Sequence, residues 1–125
     1  MTLRAVVVED NEALRMITTL SLQFDLPADI VGEAADGVAG LQVIEETRPD
    51  LVIVDLHMPV LGGLDLIREV RSRGWATTLV AYSADAAALI EATRAGADAA
   101  VLKTGEPDDL VAAVRAALEP PGTRR

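Results

Sequence analysis

The 125-residue sequence contains no cysteine, which removes disulfide frameworks, thiolate metal sites and thiol nucleophiles together. That usage fits a reducing cytoplasm. No apolar run approaches the ~20 residues of a membrane span. The N-terminus, where Arg4 is soon followed by Glu9 and Asp10, lacks the apolar core of a signal peptide. Positive charge is also short. The formal net charge is −9, so the chain is a poor binder of nucleic acid or anionic membrane, and any DNA contact falls to another domain or a partner. Lysine is nearly missing, with ten Arg but only Lys103. A bias toward Arg accounts for the numbers, yet the one position outside it keeps a compact ammonium where a planar fork would differ. No internal repeat and no low-complexity segment is visible.

Half of the residues are hydrophobic and a quarter charged, enough for one domain with a real core. The clearest stretch is Leu51-Val52-Ile53-Val54-Asp55, an apolar, β-branched run that reads as a strand covered on both faces and ends on an acid. Around it the pattern alternates. Leu3 to Val8 read as a first strand, followed by a helix with Leu14, Ile17, Leu20 and Phe24 on its apolar stripe. Ile30-Val31 begin a short second strand near Gly32, and the next helix carries Val38, Leu41 and Ile44. After the Asp55 strand, Gly62-Gly63 lead to a helix with Leu64, Ile67 and Val70. Thr77 to Tyr82 make a fourth strand, Ala86 to Ala95 a helix stopped by Gly96, and Ala99 to Leu102 a fifth strand. Pro107, with Asp108 and Asp109, suits the first turn of a last helix striped by Leu110, Val111, Val114 and Leu118. Five short βα units predict an α/β fold: a doubly wound, flavodoxin-like parallel five-stranded sheet in the order 2-1-3-4-5, with helices on both faces. The domain is expected over residues 1–119, with 120–125, opening on Pro120-Pro121-Gly122, as a tail or the start of a linker.

In such a sheet the carboxyl ends of all strands face one crevice, where ligands bind. The first strand brings Glu9 and Asp10, the third Asp55, the fourth Ser83 and the fifth Lys103. Taken singly, each has an ordinary reading: strand cap, solvated loop, strand-end hydroxyl, surface lysine. Three carboxylates at one switch point repel one another, and Lys103 offsets only part of this. A hard divalent cation such as Mg²⁺ relieves the rest.

These residues resemble the receiver domain of two-component response regulators, over essentially the whole chain. The matching features are Val8-Glu9-Asp10-Asn11, Val54-Asp55-Leu56-His57-Met58-Pro59 with Gly62-Gly63, Tyr82-Ser83-Ala84 and Leu102-Lys103. Asp55 lies 45 residues after Asp10, 28 before Ser83 and 48 before Lys103. The resemblance implies a signalling module, not an enzyme in its own right, that catalyses its own phosphotransfer and autodephosphorylation. Asp55 would accept a phosphoryl group from a sensor histidine kinase or phosphotransfer protein. Glu9, Asp10, Asp55 and the His57 backbone carbonyl would hold Mg²⁺, while Lys103 and Ser83 would meet the phosphoryl oxygens. His57, Asp85 and the intervening Ala84 would modulate the phosphoryl lifetime. The family further implies a cytoplasmic setting, a homodimer formed on phosphorylation and a C-terminal DNA-binding output domain beyond this chain.

Three departures stand out. Ala100 occupies the position of the family's aromatic switch residue, Ser83 replaces the usual Thr, and Thr104 replaces the Pro after the lysine. Tyr82 adjoins Ser83 but points to the opposite face, so it does not simply replace the missing ring. Among other doubly wound domains, a flavodoxin-type module would need a phosphate loop where Glu9-Asp10 stand. A cobalamin module would need Gly at Val60, and a dehalogenase-type phosphatase a second Asp at His57. The rival that the residues leave open is a pseudo-receiver, an interaction module that is never phosphorylated.

Overall fold

The computed structural model describes residues 2–104 and 106–119. Gly105 and residues 120–125, the expected tail or linker start, lie outside the described residues. The strands are β1 (Leu3–Val8), β2 (Ala28–Ala34), β3 (Leu51–Asp55), β4 (Thr78–Ser83) and β5 (Ala99–Leu102). The helices between and after them are α1 (Glu12–Asp25), α2 (Gly37–Thr47), α3 (Gly63–Ser72), α4 (Ala86–Ala95) and α5 (Pro107–Leu118). All strand pairs are parallel, in the order β2-β1-β3-β4-β5, as expected.

Every residue of β3 is buried, and alternation divides its side chains between two cores. Val52 and Val54 join Ile44, Leu66, Ile67 and Leu89 from α2, α3 and α4. Leu51 and Ile53 join Leu22, Leu110 and Val114 from α1 and α5 on the other face. Burial on both faces is why this strand reads as an unbroken apolar run. β2 is longer than its sequence suggests, starting at Ala28, with an irregularity in its pairing opposite Ala5 and Val6. β4 runs one residue later than expected. Its last carbonyl, on Ser83, accepts the Lys103 backbone N–H at 2.8 Å, which draws Ser83 into the sheet.

Two helices turn differently from their apolar patterns. The expected core stripe of α1 faces outward: Leu14, Ile17 and Leu20 are exposed, as is Met16, and Phe24 is 83% exposed. Thr18, Thr19 and Leu22 are the buried side. The helix start is fixed by Asn11, whose side-chain oxygen accepts the Leu14 N–H at 3.0 Å. Arg15, on the inner side, donates to the Glu9 carbonyl at 2.8 Å, so the helix cannot rotate its richer stripe inward without losing both. On α2, Val38 is exposed while Gly37, Gly40 and Ile44 face the core. A Cβ at Gly40 would press on Val8 and Leu66, so this face works by having no side chain.

The edge of the sheet away from the Asp55 end is fastened by Arg71. Its guanidinium donates to the Gly96, Trp75 and Thr77 carbonyls, each at 2.9 Å, and to Asp98 at 2.8 Å. The same Asp98 oxygen accepts the Leu79 N–H. Trp75 lies in this corner, half-buried, with the Arg73 guanidinium 5.0 Å from its ring centroid.

Candidate functional site

Four strand ends deliver the site. Glu9 follows β1, Asp55 ends β3, Ser83 ends β4 and Lys103 follows β5. Three of these polar side chains are buried, Glu9 at 4% exposure, Asp55 at 7% and Ser83 at 1%. Buried charge needs partners. The Lys103 ammonium supplies them, donating to Glu9 Oε1 at 2.7 Å and to Asp55 Oδ1 at 3.3 Å. The nearer partner is thus Glu9, across 94 residues of sequence. Asp10 is exposed at the rim. One carboxylate oxygen from each of Glu9, Asp10 and Asp55 lies within 4.8 Å of the others, a purely oxygen donor set of the kind a hard cation takes.

One ammonium facing two buried carboxylates leaves negative charge in excess, and the titration of the groups follows. Burial pushes the Glu9 carboxyl up, the Lys103 hydrogen bond pulls it down, the Asp55 charge raises it again, and the net position is above the ordinary carboxylate range. Burial pulls Lys103 down, but its bond to Glu9 and the Asp55 charge outweigh that and hold the ammonium protonated above its usual range. A carboxyl with a raised value in the folded state binds its proton more tightly there than in the unfolded chain. Its favourable contribution is complete below the unfolded value and fades as pH rises through the folded one. In chelator, Glu9→Gln is therefore expected to raise the thermal midpoint by a few degrees at pH 7. That gain should shrink toward pH 4, which melts at the two pH values check directly.

Across the mouth, His57 Nε2 lies 3.0 Å from Asp85 Oδ2, both side chains being largely exposed. The other Asp85 oxygen accepts the Ala88 N–H at 3.2 Å and so caps α4, and this bond, with His57 second, holds the Asp85 carboxyl below the ordinary range. The Asp85 backbone N–H in turn donates to Ser83 Oγ at 3.1 Å. Ala84 between them is exposed. The loop after β3 is tied to the same place: the His57 N–H points at Asp55 Oδ1, at 3.5 Å. All eight residues singled out in the sequence thus gather at one edge. Two contacts were not foreseen there. Arg15 holds the Glu9 carbonyl and also reaches Glu33 at 3.4 Å, and the ring of Tyr82 lies 5.5 Å from the Lys103 ammonium. A helix-surface Arg and a strand aromatic carry no local signal of such contacts.

Residues 5–115 match the model of the response regulator receiver domain. Among curated proteins, the chain is 35% identical over 111 residues to the transcriptional regulatory protein YhcZ of Bacillus subtilis, covering 87% of this chain and 52% of YhcZ. It is 30% identical over 113 residues to the nitrate/nitrite response regulator protein NarL of Escherichia coli, covering 89% of this chain and 52% of that protein. The chain spans about half the length of these two relatives. Among solved structures, the signal receiver domain of the response regulator NarL from Mycobacterium tuberculosis superposes with a TM-score of 0.84 at 31% identity, over 91% of this chain and 94% of that one. With five parallel strands in the flavodoxin-like order and a receiver match over most of its length, the chain belongs to the response regulator receiver domains of two-component signalling.

Proposed function

We propose that this chain is the phosphoacceptor module of a response regulator, with Asp55 as the acceptor. The observation that carries the reading is the convergence of Glu9, Asp10, Asp55, Ser83 and Lys103 on one sheet edge from four strand ends. A carboxylate oxygen of Asp55 attacks the phosphorus of a phosphohistidine on a sensor kinase or phosphotransfer protein. The new P–O bond forms as the P–N bond breaks, and the departing imidazole nitrogen picks up a proton from water. Glu9, Asp10, Asp55 and the His57 carbonyl would hold Mg²⁺, which when bound neutralises charge on the transferring group. Lys103 matches the added negative charge on the product. Ser83 donates its hydroxyl hydrogen to a phosphoryl oxygen, and turning Oγ that way moves the acceptor used by the Asp85 N–H. Because Asp85 also caps α4, loop and helix respond together, a route that needs no ring at Ala100. His57 and Asp85 screen the mouth and set how long the phosphoryl group survives.

The outward face of α1 starts beside Asp10 with the exposed Glu12 and then carries Met16, Ile17, Leu20 and Phe24. It offers a donor protein an apolar surface to sit on. Leu20→Glu is expected to slow transfer from a phosphohistidine protein about tenfold or more while leaving labelling by acetyl phosphate unchanged. Relatives named as a transcriptional regulatory protein and as a DNA-binding response regulator support a receiver that controls a C-terminal DNA-binding output domain. A cytoplasmic setting and pairing on phosphorylation complete the reading as expectations of the receiver family. Among the described residues no helix is long and apolar enough to cross a membrane. The test is incubation with acetyl phosphate and Mg²⁺, followed by intact mass. One phosphoryl adduct, lost in chelator, supports the reading; no adduct with any phosphodonor favours the pseudo-receiver.

A further inference from the structure

Tyr82 is the only tyrosine of the chain. In β4 it pairs in register with Asp55 on one side and Val101 on the other. Alternation turns its ring to the α1 and α5 side, against the core that contains Val80, Val101 and Leu110. Ala100 and Leu102 alternate with the buried Val101 and point the other way. Tyr82 is therefore no substitute for an aromatic at Ala100, because it serves a different face.

What the ring does meet is the Lys103 ammonium, 5.5 Å from its centroid and within the range where a ring quadrupole attracts a cation. Among the described residues the Lys103 ammonium thus meets Glu9 at 2.7 Å, Asp55 at 3.3 Å and the face of Tyr82. The two carboxylates compete for it, and Glu9 is nearer. A flexible four-carbon stem carries no directional preference of its own.

We propose that Tyr82 is a positioning residue for Lys103, its ring holding the ammonium within reach of the Asp55 carboxylate and of any group transferred there. The proposal rests on the reading of Asp55 as acceptor. A ring face suits this role because it attracts the cation without carrying a formal charge. It therefore does not compete with phosphoryl oxygens for the ammonium as a third carboxylate would. The attraction is enough to bias a rotamer and weak enough to release it.

Lys103 being the only lysine, isotope-labelled lysine gives one side-chain signal, free of overlap. In the resting protein, Tyr82→Leu and Tyr82→Met are expected to displace the Lys103 ε-methylene resonance as the ring current is lost, whereas Tyr82→Phe leaves it in place. With acetyl phosphate and Mg²⁺, the two ring-less variants should label roughly fivefold more slowly than wild type, and Tyr82→Phe at the wild-type rate. Either ring-less variant suffices if only one folds. An unmoved lysine signal in the ring-less variants overturns the proposal. So does a Tyr82→Phe protein that behaves like them, since the hydroxyl would then be responsible. If wild type takes no phosphoryl group at all, the acceptor reading falls, and the lysine signal alone decides whether the ring holds the ammonium.

Discussion

Asp55→Asn is expected to take no phosphoryl group from acetyl phosphate and yet to melt no lower than the wild type at neutral pH. The first half follows from nucleophilicity. An amide oxygen carries no negative charge to place on phosphorus, and among the described residues Asp55 is the carboxylate that both meets the Lys103 ammonium and ends the strand paired with β4. Intact mass after incubation reads it directly, and an adduct of undiminished yield on the variant would move the acceptor elsewhere. The second half follows from charge. Wild type buries Glu9 and Asp55 against one ammonium. The variant leaves one carboxylate with one ammonium, the balanced form of a buried pair, and adds an amide that can donate to the remaining carboxylate. A gain of about 1 kcal/mol is the expected scale, seen as a midpoint raised by a few degrees in chelator. Loss of function with no loss of stability is what separates a site residue from a core residue.

Gly63→Ala should do the reverse and disable the site by way of the fold. Gly63 opens α3 directly against the end of β3. A Cβ there would fall inside contact distance of the Asp55 carbonyl oxygen and 2.7 Å from Leu56 Cα, both backbone atoms that cannot swing aside. Overpacking of that kind costs about 3 kcal/mol or more when the neighbour is backbone. The displaced segment is the one that carries Asp55, so metal affinity and labelling should fall along with stability. Gly62, its neighbour, is the control. A Cβ at Gly62 would meet only the Leu56 carbonyl oxygen at 3.5 Å, an ordinary contact, and its φ of −73° suits any residue. Gly62→Ala should therefore stay within about 1 kcal/mol, the small loss of a glycine cap offset by a stiffer unfolded chain. Denaturant melts of the two variants side by side check the contrast, and equal effects would refute the close-approach role of Gly63.

The adjacent glycines show where the sequence was transparent and where it was not. Their presence after Asp55 marked a loop and a helix start, but which of the two admits no side chain depends on a contact with β3 that only the fold reveals. The strands were legible because a parallel strand buried on both faces must be apolar throughout, as Leu51–Val54 are. Helix orientation was not. α1 carries two stripes at helical spacing, and the richer one, ending in Phe24, is the one left outside. Periodicity ranks stripes by apolar content and is blind to a face that fits because its residues are short, such as Thr18 and Thr19 or Gly37 and Gly40. The site residues were legible as a set, since strand order alone brings their positions to one edge. The preference of Lys103 for Glu9 over Asp55 was not, because it depends on tenths of an ångström between groups 94 and 48 residues away.

The placement of Trp75 has a spectroscopic consequence. The only indole of the molecule sits in the Arg71 corner, at the opposite edge from Asp55, with the length of β3, on the order of 13 Å, in between. Its emission should follow global unfolding faithfully and stay dark to events at the acid cluster. The single phenol, Tyr82, stands beside Lys103 and should respond to events at the acid cluster as well as to unfolding. Two intrinsic chromophores thus divide one small domain into a stability channel and a signalling channel, and a titration followed at both wavelengths can tell a variant that unfolds from one that only fails to switch.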